Sequence, residues 1–160
     1  MEKYHNGFYE DLDNLLRSYP DSDFGFMENN LCISRDSFGR TVSAYDFLHG
    51  FCNIFAEVLN AKYGYPIYVI IDDNGYCVHC FCVNIVNGVN YYIDVRGITT
   101  DYIEFISEFE DFTDEDSSII NTIPIEKYKF FTVDDSEMKS CADEIITQYN
   151  EYYVMKKAAA

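Results

Sequence analysis

A cysteine, a histidine and an aspartate follow one another in an order that suits nucleophilic catalysis. Cys52 lies near the start of an apolar helical pattern, His79 lies in a strand-like segment after it, and Asp94 lies in the next such segment. The first turn of a helix has unpaired backbone N–H groups and the positive end of the helix dipole, and both favour a thiolate. The alternative interpretation of Cys52 is a small buried residue that fills space, since free cysteine is among the most buried residue types.

The turns between the strand-like segments predict that His79 and Asp94 are neighbours. Three consecutive strands are predicted, at Pro66–Asp72, Tyr76–Val86 and Val89–Arg96. Asn74-Gly75 and Asn87-Gly88 separate them and suit two-residue turns that need positive φ. With such a turn at Asn87-Gly88, the numbers of facing residues sum to 175. His79 and Asp94 are then diagonal neighbours on one face of the sheet, within hydrogen-bonding reach.

The helix that carries Cys52 is predicted over residues 49–64 and ends at Gly64, a natural C-terminal cap. Its apolar stripe consists of Phe51, Ile54, Phe55, Val58 and Leu59. We expect this stripe to dock on the sheet face of His79, which Phe81, Val83 and Tyr92 share. The Cys52 sulfur would then lie about 3.5–5 Å from a ring nitrogen of His79, as in unliganded cysteine–histidine sites. Cys80 and Cys82 would point away from the helix.

These features resemble the transglutaminase-like branch of the papain-like cysteine enzymes. The segments GFCNIFAEVL, YCVHCFCV and YYIDVRG, between Gly50 and Gly97, carry the resemblance. It implies that Cys52 is the nucleophile, His79 the general base and acid, and Asp94 the group that orients His79. No Trp precedes Cys52 and no Gln is evident as an oxyanion donor. The backbone N–H of Cys52 and a neighbouring donor at the helix start are therefore expected to hold the oxyanion.

Two further residues are candidates for substrate binding. Arg96 could hold a substrate carboxylate or pair with Asp94, and the structural pairing is favoured. His49, just before the predicted helix, could assist the site or serve as a capping or solvent-exposed residue. No cofactor is expected.

No metal site is expected either. Cys77-x-x-Cys80, with His79 and Cys82, has the residue types of a zinc site, but strand alternation divides these residues between two faces. The acidic stretch Asp111–Thr122 does not fit a calcium-binding loop, because its sixth residue is Asp116 and its twelfth is Thr122.

The order of the predicted elements indicates an α+β fold. The other elements are a helix at Gly7–Arg17, a short strand near Leu31–Ile33, an acidic helix at Asp101–Phe109, a strand at Lys127–Val133 and a helix at Asp135–Tyr153. We expect a mostly antiparallel sheet, a β-meander, packed against the central helix, with a papain-like or transglutaminase-like core. With no repeat and no linker-like tract, residues 1–155 are expected to form one globular domain and residues 156–160 a tail.

The charge favours some partners and excludes others. The chain has 160 residues, with 11 Lys plus Arg and 28 Asp plus Glu, for a net charge of −17. Direct nucleic-acid binding and binding to anionic membranes are disfavoured because both depend on basic side chains. With no secretory signal evident at the N-terminus and no apolar run that could span a bilayer, a cytoplasmic location is expected.

Two classes of function remain. The first is a cysteine-dependent acyl-transfer enzyme, whether a hydrolase, deamidase or amide transferase, that acts on an amide or a peptide-like substrate, which could be a protein. The second is a non-catalytic acidic protein that blocks a basic site on a partner protein. Small acidic phage proteins that inhibit host defence nucleases resemble it in size and charge. A catalytically silent form of the same fold is a third interpretation.

Overall fold

The computed structural model describes residues 4–9, 34–35, 41–42, 44–48, 50–72, 75–107, 109, 121–127 and 135–155. The helices in these ranges are α1 (Ala44–Leu48), α2 (Cys52–Tyr63), α3 (Tyr102–Ser107), α4 (Ser136–Gln148) and α5 (Asn150–Tyr153). The strands are β1 (His5–Gly7), β2 (Ser34–Arg35), β3 (Thr41–Val42), β4 (Ile67–Ile71), β5 (Cys77–Val86), β6 (Val89–Asp94), β7 (Gly97–Thr99) and β8 (Asn121–Pro124). A 3-10 turn spans Ile125–Lys127.

Six of the strands form one antiparallel sheet in the order β1-β7-β6-β5-β4-β8, and β2 pairs with β3 separately. Strands β4 to β7 are neighbours in the order of the chain, which is a meander. The chain therefore has the mixed architecture that the sequence predicted, with helices and an antiparallel sheet.

The turn at Asn87-Gly88 sets the register of the two central strands. Asn87 has φ of 53° and Gly88 has φ of 79°, and a turn with both central residues in this region matches the twist of a hairpin. The ladder runs from Val86↔Val89 to Cys82↔Ile93, so the facing numbers sum to 175. The predicted register is confirmed.

Strand β6 ends at Asp94, two residues before the predicted end of the strand Val89–Arg96. Val95 and Arg96 form a turn, and the chain returns as β7 with Asp94 facing Gly97. The backbone N–H of Arg96 donates to Oδ1 of Asp94 at 2.9 Å, and Gly97 adopts φ of 114°. Because a carboxylate and a glycine together stabilise this tight reversal, the prediction of one continuous strand to Arg96 is wrong.

Several other predictions can be compared with the fold. The terminal helix is confirmed, and its N-cap is Asp135, which accepts from the backbone N–H of Met138 at 3.1 Å. The helix itself ends at Gln148, and Tyr149 separates it from α5. Gly7 belongs to β1, and the rest of the predicted helix Gly7–Arg17 lies mostly outside the described residues. Residues 31–33 and 128–133 also lie outside them, whereas β8 and α1 were not predicted.

Helix α2 and helix α3 cover opposite faces of the sheet. On the first face, Sγ of Cys82 donates to the carbonyl of Ala56 in α2 at 3.4 Å. On the second face, the ring of Phe81 contacts that of Phe105 in α3, with centroids 4.8 Å apart. The expectation that α2 docks on the face of His79 and Phe81 while Cys82 points away is therefore wrong. Both faces of β5 carry buried apolar side chains, so alternation alone does not indicate which helix covers which face.

Within the described ranges, no helix combines the length and apolar character needed to cross a bilayer.

Candidate active site

Cys52 lies in the first turn of α2, as the sequence predicted, but the helix begins at Cys52 itself and not at residue 49. The N-cap residue of α2 is Phe51, whose side chain has no oxygen to accept hydrogen bonds from the first N–H groups of the helix. These N–H groups and the positive end of the helix dipole therefore remain available to stabilise a Cys52 thiolate. The Cys52 side chain is half-buried. Its sulfur accepts a hydrogen bond from the backbone N–H of Cys80 at 3.3 Å. The thiol is thus held by α2 and β5 together.

The early end of β6 explains how Cys52 reaches the edge of β5. The β5–β6 ladder stops at Cys82↔Ile93, so the N–H of Cys80 lies beyond the last paired residues. The carbonyl of Val95, which would continue β6, instead accepts from the hydroxyl of Tyr153 at 2.8 Å. The Cys52 sulfur therefore takes the place of a strand partner at this position. The sulfur lies beside the edge of β5 and not above either face of the sheet. It can therefore interact with His79, although α2 covers the sheet face opposite to the His79 side chain.

His79 is fully buried and bound to Asp94. Its Nε2 lies 2.9 Å from Oδ2 of Asp94, which confirms that the two side chains share a face. The imidazole stacks on the ring of Phe109, with centroids 4.2 Å apart, and lies parallel to that of Phe81 at 5.8 Å. Among the described residues, Nδ1 makes no hydrogen bond of ordinary geometry. It is the ring nitrogen that remains for the Cys52 sulfur.

Cys52 and His79 each stabilise the charged form of the other side chain. Burial alone would raise the pKa of Cys52, but a hydrogen bond and the charge of His79, with the N–H groups of Cys80 and Asn53, hold this pKa below its ordinary value. Burial alone would lower the pKa of His79, but Asp94 and Cys52 raise it. Opposite shifts of this kind favour a thiolate–imidazolium pair.

Asp94 also binds Arg96. The Nη2 atom of Arg96 lies 2.8 Å from Oδ2 of Asp94, and its Nε lies 3.1 Å from each carboxylate oxygen. The same Nη2 donates to the carbonyl of Phe105 at 3.1 Å. Burial would raise the pKa of Asp94, but the charges of Arg96 and His79 hold it well below its usual range. Asp94 is therefore ionised beside His79.

The structure brings together four of the five predicted site residues. Cys52, His79, Asp94 and Arg96 form one connected cluster, while His49 lies outside the described residues. The exposed fraction of Arg96 is 0%, and its guanidinium contacts Asp94 and Phe105. This arrangement supports the structural pairing and not the capture of a substrate carboxylate.

The three cysteines of β5 differ from Cys52 of α2 in the direction in which their pKa values are shifted. Cys77 is half-buried, whereas Cys80 and Cys82 are buried. Burial raises the pKa of Cys77 to about 12, and it raises the pKa of Cys80 and Cys82 as well. The described residues contain no cluster of His, Cys, Asp and Glu that could hold a metal ion.

The sequence reasoning missed the aromatic residues that enclose the pair. Phe105 and Phe109 cover His79 and also lie beneath the guanidinium of Arg96, with ring centroids 4.7 and 5.3 Å from its Cζ. Their spacing of four residues in the segment predicted as an acidic helix was the available signal, because residues four apart share one helix face. In the structure Phe105 lies in α3 and Phe109 follows the end of this helix, and both rings pack on the site.

Comparison of the chain with family models, curated proteins and solved structures found no match.

Proposed function

We propose that this protein is a cysteine-dependent acyl-transfer enzyme of papain-like or transglutaminase-like type, in which Cys52 is the nucleophile, His79 the general base and acid, and Asp94 the orienting residue. The observation that carries the proposal is the connected set of contacts from Cys52 through His79 to Asp94. Its last link is 2.9 Å long. A nucleophile, a base and a group that orients the base are the parts that covalent acyl transfer needs.

The chemistry follows from the protonation states that the cluster favours. The Cys52 thiolate attacks the carbonyl carbon of an amide or peptide-like substrate, and the C–S bond forms as the carbonyl π electrons move to oxygen. The N–H groups in the first turn of α2 lie beside that oxyanion and stabilise it. The imidazolium of His79 gives its Nδ1 proton to the leaving amine, which releases the amine and leaves a thioester on Cys52. His79, now neutral, then removes a proton from water or from an acceptor amine that attacks the thioester.

A labelling experiment tests whether Cys52 is activated. Iodoacetamide at pH 6 to 7 is expected to alkylate Cys52 well before Cys77, because only thiolates react and the two pKa values are shifted in opposite directions. Cys77 is the matched control, since both side chains are half-buried and accessibility alone would not separate them. Equal labelling of the two cysteines at pH 6 to 7 would contradict the proposal.

A second experiment tests acyl transfer itself. An activated ester such as p-nitrophenyl acetate is expected to release a burst of p-nitrophenol and to leave one acetyl group on Cys52, detected by peptide mass spectrometry. Cys52→Ala should lose the burst while its free energy of unfolding falls by only about 1 kcal/mol, since a half-buried thiol contributes little packing. Cys77→Ser should keep the burst. Acetylation of the wild-type protein at other residues only would count against the mechanism.

The second candidate is a binding protein that uses its acidic surface to block a basic site on a partner. The observation in its favour is the net charge of −17, with eight acids and no Lys or Arg between Asp101 and Asp116. Binding of this kind should weaken steeply as salt increases from 50 to 300 mM and should not depend on Cys52. Replacing the acids of this segment with amides and measuring affinity for a cationic protein would test it.

A further inference from the structure

Arg96 holds an unusual position for a charged side chain. It is fully buried, its guanidinium lies near the faces of Tyr9, Phe105 and Phe109, and it forms an ion pair with Asp94. A purely structural ion pair would need only these two residues. Here the same Oδ2 of Asp94 that accepts from Arg96 Nη2 at 2.8 Å also contacts Nε2 of His79 at 2.9 Å.

The sharing of Oδ2 determines the tautomer of His79. An ionised carboxylate can only accept hydrogen bonds, so Nε2 of His79 must be the donor to Asp94. The Nδ1 atom then carries the lone pair in the neutral ring and is the nitrogen left to interact with Cys52. A protonated Asp94 would remove this restriction, and Arg96 is the group that most strongly favours the ionised form of Asp94.

The charges of the cluster balance only when Arg96 is counted. Asp94 and the Cys52 thiolate are two anions, and the His79 imidazolium and Arg96 are two cations. Without Arg96, one imidazolium would have to compensate two buried anions, and the half-buried Cys52 would be the anion that is protonated. A buried cluster with an uncompensated charge is strongly disfavoured.

Among the described residues, no other titratable group around the cluster replaces Arg96. Tyr9 faces Arg96 and Asp94, and burial raises its pKa well above the ordinary value, so it is neutral. Cys77 and Cys80 face Cys52 and are neutral thiols, as is Cys82 beside Asp94. Glu104, which faces Tyr9 and accepts from the hydroxyl of Thr99 at 3.1 Å, adds negative charge and no compensation.

We propose that Arg96 is a positioning residue that neutralises Asp94, so that the charge of the His79 imidazolium remains available to hold Cys52 as a thiolate. This inference rests on the proposed function and assigns Arg96 a role through Asp94, away from the substrate.

The test measures the rate of Cys52 alkylation by iodoacetamide between pH 5 and 9 in the whole protein and three variants. Arg96→Gln should lose the reactivity at low pH, with a fall of at least tenfold at pH 6, which corresponds to a shift of one pKa unit or more. Arg96→Lys keeps the charge and should stay within threefold of the wild type at pH 6. Tyr153→Phe is the matched control because it removes the hydrogen bond to Val95, next to Arg96, without a change of charge, and its pH profile should match the wild type.

The outcomes separate the two proposals. An unchanged pH profile in Arg96→Gln would overturn the role of Arg96 and leave the activated Cys52 intact. A loss of reactivity in Tyr153→Phe as large as in Arg96→Gln would mean that loosening of the turn suffices, and it would overturn the inference as well. If Cys52 of the wild-type protein is alkylated with the pH dependence of an ordinary thiol, the proposed function is overturned, and the role of Arg96 with it. If Arg96→Gln does not fold, Arg96→Lys decides, since a tenfold loss with the charge retained contradicts the argument.

Discussion

Replacing Asp94 by Asn should strongly destabilise the protein although the side chain changes little in size. Asp94 is 3% exposed and accepts hydrogen bonds from Arg96 and His79, and the variant would remove the carboxylate that pairs with the buried Arg96 charge. Removal of one partner from a buried ion pair costs about 3–5 kcal/mol. This loss is a large part of the roughly 5–15 kcal/mol that stabilises a typical domain. It should lower the melting temperature by about 6–20 °C in a chain of this size.

Urea unfolding at pH 7 of the wild type, Asp94→Asn, Arg96→Met and the double variant would measure this effect. The double variant removes both charges and keeps an apolar chain among Phe105 and Phe109, so it should recover much of the stability that Asp94→Asn loses. A loss of less than about 1 kcal/mol in Asp94→Asn would refute the reasoning. A double variant whose loss equals the sum of the two single losses would refute it too, because the side chains would then not be coupled.

Three further predictions follow from the same structure. Gly97→Ala should destabilise the protein more than Gly88→Ala, in thermal melts, because a Cβ on Gly97 would overlap the paired strand β1, whereas Gly88 faces open space and should lose only the roughly 1–2 kcal/mol of a left-handed residue. Asp135→Ala should cost about 1 kcal/mol, measured by urea unfolding, since it removes the N-cap of α4. Because the pKa of Asp94 is lowered, its contribution to the free energy of unfolding is complete above the ordinary carboxyl pKa of about 3.9 and decreases as the pH falls below that value. In unfolding experiments between pH 2.5 and 7, the free energy of unfolding of the wild type should therefore approach that of Asp94→Asn at the acidic end.

The local parts of the site could be predicted because short-range rules determine them. Asn87-Gly88 permits positive φ at both positions, so the turn length, the register and the contact of His79 with Asp94 follow from one dipeptide. The helix that carries Cys52 and its end before Gly64 follow from the apolar spacing and the left-handed cap, where Gly64 has φ of 75°, whereas the predicted start at residue 49 was three residues too early.

The long-range parts of the fold could not be predicted from such rules. The residues of β5 are apolar on both faces, so the pattern contained no information on which face α2 covers. The turn at Val95-Arg96 depends on a hydrogen bond from the backbone N–H of Arg96 to the Asp94 carboxylate, whereas the sequence analysis considered only a side-chain pairing of these two residues. The aromatic residues over His79 come from the predicted acidic helix Asp101–Phe109, whose packing against the site the sequence analysis did not predict.

The sequence distances within the site have a consequence for folding. Cys52 and Cys80 are 28 residues apart, and His79 and Asp94 are 15 apart. By contrast, the edge strand β1 pairs with β7 across 94 residues, as in the pairing of His5 with Thr99. Contacts between distant residues incur the largest loop-closure entropy and tend to form late. The cluster of Cys52, His79 and Asp94 should therefore assemble early, within α2 and the meander, so that amide hydrogen exchange in β5 and β6 becomes protected before exchange in β1.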